Sequence, residues 1–211
     1  MRRTKEQAEQ TRQNLLDAAE QVFLSKGVSG TTLANIAAAA GMTRGAIYWH
    51  FQDKDDLYNA MVRRVVFPLE VVDAAYARDV DQDPVAALER VCLSGITHLL
   101  TDARARRVYT IVLHRQERCP GEPQPVGELE KRQQGEDLFR HCLQSVESAG
   151  RLHPLLSVDA AVDGLMAFFT GLIYRWLLEP GSMNMADQAR PLFRVFLEGM
   201  IRPVPQSWPQ S

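Results

Sequence analysis

The sequence predicts an all-α protein of about nine helices, a small N-terminal three-helix unit followed by a larger helical bundle. Three observations predict it. Beyond residue 57 the apolar residues recur with helical spacing throughout. Prolines and glycines cluster between the periodic segments instead of inside most of them. A length of 211 residues exceeds one small domain but fits the sum of a small bundle and a larger one, and 45% hydrophobic residues supply a packed core.

Two short helices joined by a glycine turn account for Thr31 to Phe51, TTLANIAAAAGMTRGAIYWHF. The first begins at Thr31 or Thr32, whose hydroxyl can take an orphan N–H at a helix start. Leu33, Ile36, Ala37 and Ala40 then fall at i, i+3, i+4 and i+7, which is one buried stripe. Gly41 stands where positive φ would stop the helix and reverse the chain, and Thr43 is placed to cap the next one. Steps of about 100° put Ala46, Ile47, His50 and Phe51 in one sector and Arg44, Gly45, Tyr48 and Trp49 in the opposite one. A solvated face normally carries Glu, Lys and Gln, so aromatics beside an arginine call for a partner that covers them. A DNA duplex suits: hydroxyl and indole N–H donate to phosphates, and Gly45 permits close approach. A helical hairpin with a few surface aromatics would show the same pattern.

A fourth helix is expected from a cap at Asp53 through Leu57, Met61 and Val65 toward Ala77, kinked or divided near Phe67 by Pro68. DVDQDP, residues 79–84, reads as a loop, with Pro84 opening a fifth helix that carries Leu88, Val91, Cys92, Ile96, Leu99 and Leu100. A new start at Asp102 leads a sixth through Val108, Ile111, Val112 and Arg115. CPGEPQP, residues 119–125, is a connection. The seventh helix spans about Gly127 to Ala149 and stops at Gly150. The eighth, Val158 to Leu178, is apolar on nearly every face, and the ninth runs from about Ala186 to Arg202. Two such C-terminal helices suit a subunit interface, where a second copy covers what one chain leaves exposed. The last residues, PVPQSWPQS, hold too much proline to fold alone. The expected division is 1–56, 57–203 and a flexible tail 204–211.

The formal charge of −2 looks wrong for a nucleic-acid binder until it is split by position. Residues 1–64 carry nine basic against seven acidic side chains, and the remainder 15 against 19. The N-terminal MRRTKE has no apolar run behind it, so no secretory leader is expected. The charge-free apolar stretch from Gly164 to Tyr174 is shorter than the roughly 20 residues of a membrane span. A cytoplasmic protein without membrane partners is expected. Cys92, Cys119 and Cys142 are odd in number and widely spaced, against a disulfide framework or a CxxC knuckle, and read as small buried hydrophobes.

Enzyme chemistry finds no foothold. No glutamate is followed three residues later by histidine, as a di-iron bundle requires, and HExxH, Walker A, GxSxG and the dinucleotide glycine fingerprint are absent. His98, His114, His141 and His153 are scattered without ligand spacing. No catalytic residue, metal or cofactor is therefore expected.

From about Thr11 to Leu57, TRQNLLDAAEQVFLSKGVSGTTLANIAAAAGMTRGAIYWHFQDKDDL resembles the N-terminal signature of the TetR family of transcription regulators. It carries that family's helix 1 (Leu15, Ala18, Ala19, Phe23, Gly27), helix 2 and a recognition helix ending YWHF, followed by Lys54 and Leu57. Within the family it is most similar to the AcrR- and TtgR-type repressors of multidrug-efflux operons, which share the RRTKEQAEQTR opening.

The resemblance implies a homodimer paired through its last two helices, binding a pseudo-palindromic double-stranded operator and released by a small hydrophobic or aromatic effector. It implies that Thr43, Arg44 and Gly45 face base edges, with Arg44 able to give guanine a bidentate bond. Tyr48, Trp49, His50, Lys54, Thr31 and Thr32 would hold phosphates, and Arg2 and Arg3 would reach the flanking minor groove or backbone. For His50 a core role competes, since its sector is the buried one. Effector candidates by position are Val66, Phe67, Glu70, Val91, Tyr109, Leu113, Phe168, Phe169, Thr170, Tyr174 and Trp176, each of which also fits a core position. Tyr109, Leu113 and Thr170 depart from the asparagine, histidine and aspartate usual in the TtgR-type pattern, so the ligand does not carry over. A regulator of catabolic or lipid genes is the alternative within DNA binding; a helical enzyme or interaction scaffold is the alternative outside it.

Overall fold

A computed structural model describes residues 5–70, 84–117, 121 and 123–201, with the side chains of 70, 84 and 85 left aside. Among the described residues the structure has nine α-helices, one 3-10 turn and no strand. They are α1 Lys5–Lys26, α2 Leu33–Ala39, α3 Arg44–Ile47, α4 Lys54–Arg64, the turn Pro68–Glu70, α5 Pro84–Thr101, α6 Ala103–His114, α7 Val126–Ser148, α8 Val158–Leu178 and α9 Met185–Ile201.

Contacts divide the chain into two compact units, one of residues up to Val66 with Ala103–Lys131, the other of Phe67–Asp102 with Arg132 onward. Packing thus groups α4, α6 and the first turn of α7 with α1–α3. The physical reason is a set of long-range polar ties that periodicity does not reveal. Glu20 of α1, with a side chain only 1% exposed, accepts from Arg64 of α4 and from Arg107 of α6, while Arg104 bonds Asp17 at 2.8 Å. The Tyr58 phenol donates to the Glu128 carboxylate, and the Gly127 N–H donates to Asn59 Oδ1 at 2.8 Å. Arg63 grips Glu130 with two bonds, 2.7 and 2.8 Å, and this hydrogen bonding holds the Glu130 carboxyl below its usual range. Around these ties lie Leu15, Leu16, Phe23, Ile36, Ile47, Leu57 and Met61, all buried, with Phe23 set edge-on to Tyr58.

In the second unit α8 is the central element. Its Leu165, Phe169, Leu172 and Ile173 are buried, and Phe169 meets Phe139 of α7 edge-on and Phe193 of α9 at a tilt. Phe168 stacks on Phe196 with centroids 4.3 Å apart. Gly95 of α5 lets Pro68 and Phe169 come close: a Cβ there would lie 2.9 Å from Phe169 Cζ and 2.9 Å from the Pro68 carbonyl oxygen. By length and composition alone α8 could cross a membrane, which the charge-free stretch did not anticipate, but one buried stripe packed on two neighbouring helices is what a core helix shows. Cys92 and Cys142 are buried, and burial pushes the Cys92 thiol up; Cys119 lies outside the described residues.

Most expected boundaries hold to within two residues. α8 starts at a Ser157 cap and runs to Leu178, α5 opens on Pro84, and Gly41 and Gly150 both have φ +67°. The fourth helix is the main correction. It ends at Arg64 instead of continuing toward Phe67, because Val65 is extended (φ −97°, ψ 145°) and the chain enters a separate 3-10 turn at Pro68. That interruption falls where one compact unit gives way to the other. The expected run to Ala77, the 79–83 loop, most of the CPG end of the 119–125 connection, Arg2, Arg3 and the 204–211 tail lie outside the described residues.

Candidate nucleic-acid interface

The α2–α3 hairpin is built as its residue types require. Thr32 closes a reciprocal capping box with Asn35: its hydroxyl accepts from the Asn35 N–H at 3.2 Å, and the Asn35 side chain accepts from the Thr32 N–H at 3.0 Å. The Thr32 cap is visible in the residue types of the sequence; the Asn35 that answers it, in a Thr-x-x-Asn spacing, is not the usual Glu or Gln of such a box. Gly41 then reverses the chain, and Met42 N–H bonds back to the Ala37 carbonyl at 2.8 Å. Thr43 is extended and stands at the N-cap position of α3, yet its side chain makes no capping bond.

α3 itself is one turn, Arg44–Ile47, prolonged by a turn through His50, whose N–H and that of Phe51 both bond the Ile47 carbonyl at 3.0 Å. Ile47 and Phe51 are buried, and Ala46 and His50 half-buried. On the other flank Arg44 and Gly45 are exposed, Tyr48 is 50% exposed and Trp49 89%. Two large aromatics this bare, on a segment anchored by two buried neighbours, make a surface shaped for covering by something else. A further cation meets this segment at its buried end: the Arg12 guanidinium of α1 lies 5.0 Å from the centroid of the Phe51 ring. Nothing in the local pattern at Arg12 announces this, since the contact joins distant parts of the chain.

Two expected phosphate contacts are engaged inside the protein. Thr31 is buried, and its hydroxyl donates to the Gly27 carbonyl at 2.6 Å, so its side chain ties the α1–α2 turn instead of facing outward. Lys54 is half-buried, with Nζ donating to the Val28 carbonyl at 2.8 Å. Thr32 is exposed.

The effector candidates divide between the units. Val66, Tyr109 and Leu113 belong to the first, Phe67, Val91, Phe168, Phe169, Thr170, Tyr174 and Trp176 to the second, and the Glu70 side chain lies outside the described residues. In the second unit Phe67, Val91 and Phe169 are buried. Val91 lies one turn before Gly95, whose own close neighbours are Pro68 and Phe169. Phe168, Thr170 and Trp176 are half-buried, and Tyr174 is exposed with Leu178 on the outer side of α8. Among the described residues no three His, Cys, Asp or Glu side chains gather as a metal site would need.

The profile of bacterial regulatory proteins of the tetR family matches residues 15–61, and that of the C-terminal region of MAATS-type transcriptional repressors matches 83–202. The chain belongs to the TetR family. This TetR-family protein is 35% identical over 192 residues to the HTH-type transcriptional regulator TtgR of Pseudomonas putida, covering 88% of this chain and 89% of the relative. Its fold is similar to that of NalD, the secondary repressor of the MexAB-OprM multidrug efflux pump in Pseudomonas aeruginosa, with TM-score 0.78 and 35% identity over 97% of this chain and 100% of that one. It is also similar to SmeT, the repressor of the Stenotrophomonas maltophilia multidrug efflux pump SmeDEF, with TM-score 0.68 and 26% identity over 94% and 96% of the two chains. SmeT has been solved in complex with triclosan as well.

Proposed function

We propose that this TetR-family chain is a homodimeric cytoplasmic repressor that holds a pseudo-palindromic operator and lets go when a small hydrophobic or aromatic effector binds, and that it controls a multidrug-efflux operon. The observation that carries the reading is the bare flank of Arg44, Gly45, Tyr48 and Trp49 over the buried Ile47 and Phe51. Residues 1–56 read DNA, and 57–203 bind effector and pair the subunits. Thr43, Arg44 and Gly45 face base edges; Thr32, Tyr48, Trp49 and His50 hold phosphates. Lys54 gives one of its three N–H donors to Val28 and keeps two for a phosphate. Thr31 drops from this set, because its hydroxyl is spent on Gly27.

Pairing is supported by apolar residues left on the outside of the last two helices, Tyr174 and Leu178 on α8, Leu192 and Val195 on α9. A two-fold between copies would set two α3 segments about 34–36 Å apart, one turn of duplex. The effector acts through its different affinity for the DNA-competent and DNA-incompetent states, and the Val65–Pro68 interruption serves as the hinge. NalD and SmeT, described as repressors of efflux pumps, and the triclosan complex of SmeT support the operon and the kind of effector.

The test is a gel shift with the DNA upstream of the chain's own gene. Arg44→Ala and Tyr48→Ala should each abolish the specific shift while dimer and melting temperature stay as in the wild type. Unchanged binding in both would remove α3 from the interface.

A further inference from the structure

We infer that Arg12 of α1 is a phosphate-binding residue of the DNA interface, presented by the ring of Phe51; this rests on the DNA-binding reading above. Four arginines are described between residues 5 and 66, and two are consumed internally. Arg63 grips Glu130, and Arg64 is bound to Asp17, Glu20 and Gln13. Among the described residues Arg12 and Arg44 make no hydrogen bond or ion pair. Arg44 is exposed on the flank already assigned to base edges, whereas Arg12 is half-buried, where a cation without an anion is costly.

The neighbouring carboxylates of α1 do not answer it. Glu9 accepts from Gln13 at 2.7 Å, Asp17 from Arg64 and Arg104, and Glu20 from Arg64 and Arg107. What Arg12 has is an aromatic face, with its central carbon 5.0 Å from the Phe51 centroid. A cation–π contact uses the flat side of a guanidinium, while its five N–H groups lie in the plane and remain able to donate. The platform is fixed, since Phe51 is buried and its N–H is bonded to Ile47. It also directly follows Tyr48, Trp49 and His50, so the charge stands at the C-terminal end of the recognition segment. A planar fork that meets the ring by its face can offer its edge to the two free oxygens of a phosphodiester.

The experiment uses the full-length chain and a duplex recovered with it by selection from a random-sequence pool. Operator affinity is then measured from 50 to 200 mM salt for wild type, Arg12→Gln and Arg12→Lys. A phosphate contact contributes about 0.9 to the slope of log affinity against log salt, so Arg12→Gln should flatten it by roughly 0.9 per protomer. Its affinity should fall evenly across single-base variants of the duplex. Arg12→Lys should keep the wild-type slope. A residue that merely props Phe51 would change melting temperature and affinity without moving the slope. A wild-type slope in Arg12→Gln therefore overturns the inference while leaving DNA binding intact, as does a loss confined to particular bases. Recovery of no duplex at all would overturn the DNA-binding reading, and the role of Arg12 with it.

Discussion

Tyr58 and Glu128, 70 residues apart in sequence, meet inside the first compact unit, where the phenol donates to a carboxylate that is 8% exposed. The bond ties α4 to the first turn of α7, beside the Asn59–Gly127 contact. Tyr58→Phe keeps the ring against Phe23 but takes one donor from a buried carboxylate, at a cost of about 1–3 kcal/mol. Urea unfolding of the full-length chain measures this. A loss below about 0.5 kcal/mol would mean that other groups carry Glu128.

The neighbouring Arg63–Glu130 pair gives a pH dependence. Because hydrogen bonding lowers the Glu130 pKa in the folded state, its contribution is present above the ordinary glutamate value of 4.5 and is lost as pH falls through the lowered one. Glu130→Gln should remove that part of the acid limb, read as a shallower fall in melting temperature between pH 5 and pH 3 (about the ordinary carboxylate range).

Glu20 joins three helices through one carboxylate. Arg64, its α4 partner, has a side chain only 11% exposed, so Glu20→Gln removes its buried counter-charge and leaves it the half-exposed Asp17 carboxylate alone. Breaking a buried pair from one side costs on the order of 3–5 kcal/mol. Thermal melts should show a large drop, and added salt should change it little because the pair is screened from solvent.

Two glycines offer opposite signs. Gly95→Ala places a methyl 2.9 Å from a backbone carbonyl that cannot turn aside, and overpacking of about 1–3 kcal/mol should outweigh the roughly 1 kcal/mol gained in helix propensity. Gly135→Ala meets only the Leu69 Cδ1 tip at 2.8 Å, which can swing away, so the propensity gain should prevail. Chemical denaturation of the two variants decides it.

If α8 and α9 pair two copies, Val195→Asp should split them. Val195 is 71% exposed in one chain, so the monomer should lose no more than about 0.5 kcal/mol. Losing an interface residue worth about 2 kcal/mol in each of two copies raises the dimer dissociation constant roughly a thousandfold. Sedimentation velocity reads the outcome, and an unchanged dimer would place the contact elsewhere.

What the sequence made legible is whatever depends on near neighbours. The stripe of Leu33, Ile36 and Ala37, the reversal at Gly41 and the sector split around Ile47 all follow from spacing alone and are present, while Ala40, the expected last member of the stripe, is the C-cap and only half-buried. Long-range polar contacts were not legible. Lys54 carries the residue type of a phosphate contact, but one of its donors goes to the Val28 carbonyl, 26 residues away, which only the folded chain brings near; Thr31 bonds a carbonyl four residues back, at Gly27, in a turn whose geometry residue types alone do not reveal. The same holds for Glu20, which reads as one more charge on the surface of α1 until Arg64 and Arg107 arrive from elsewhere in the chain. The fourth helix ended early for a mixed reason: the proline was visible, but that Val65 would already be extended was not.

The recognition segment is fastened by Ile47 and Phe51, while positions 44, 45, 48 and 49 take no part in the core. Folding therefore places almost no selection on those four side chains. A library randomised there should still fold as a population, and, on the proposed role of this flank, descendants of one ancestor can drift to new promoters by changing it without first acquiring compensating mutations in the scaffold.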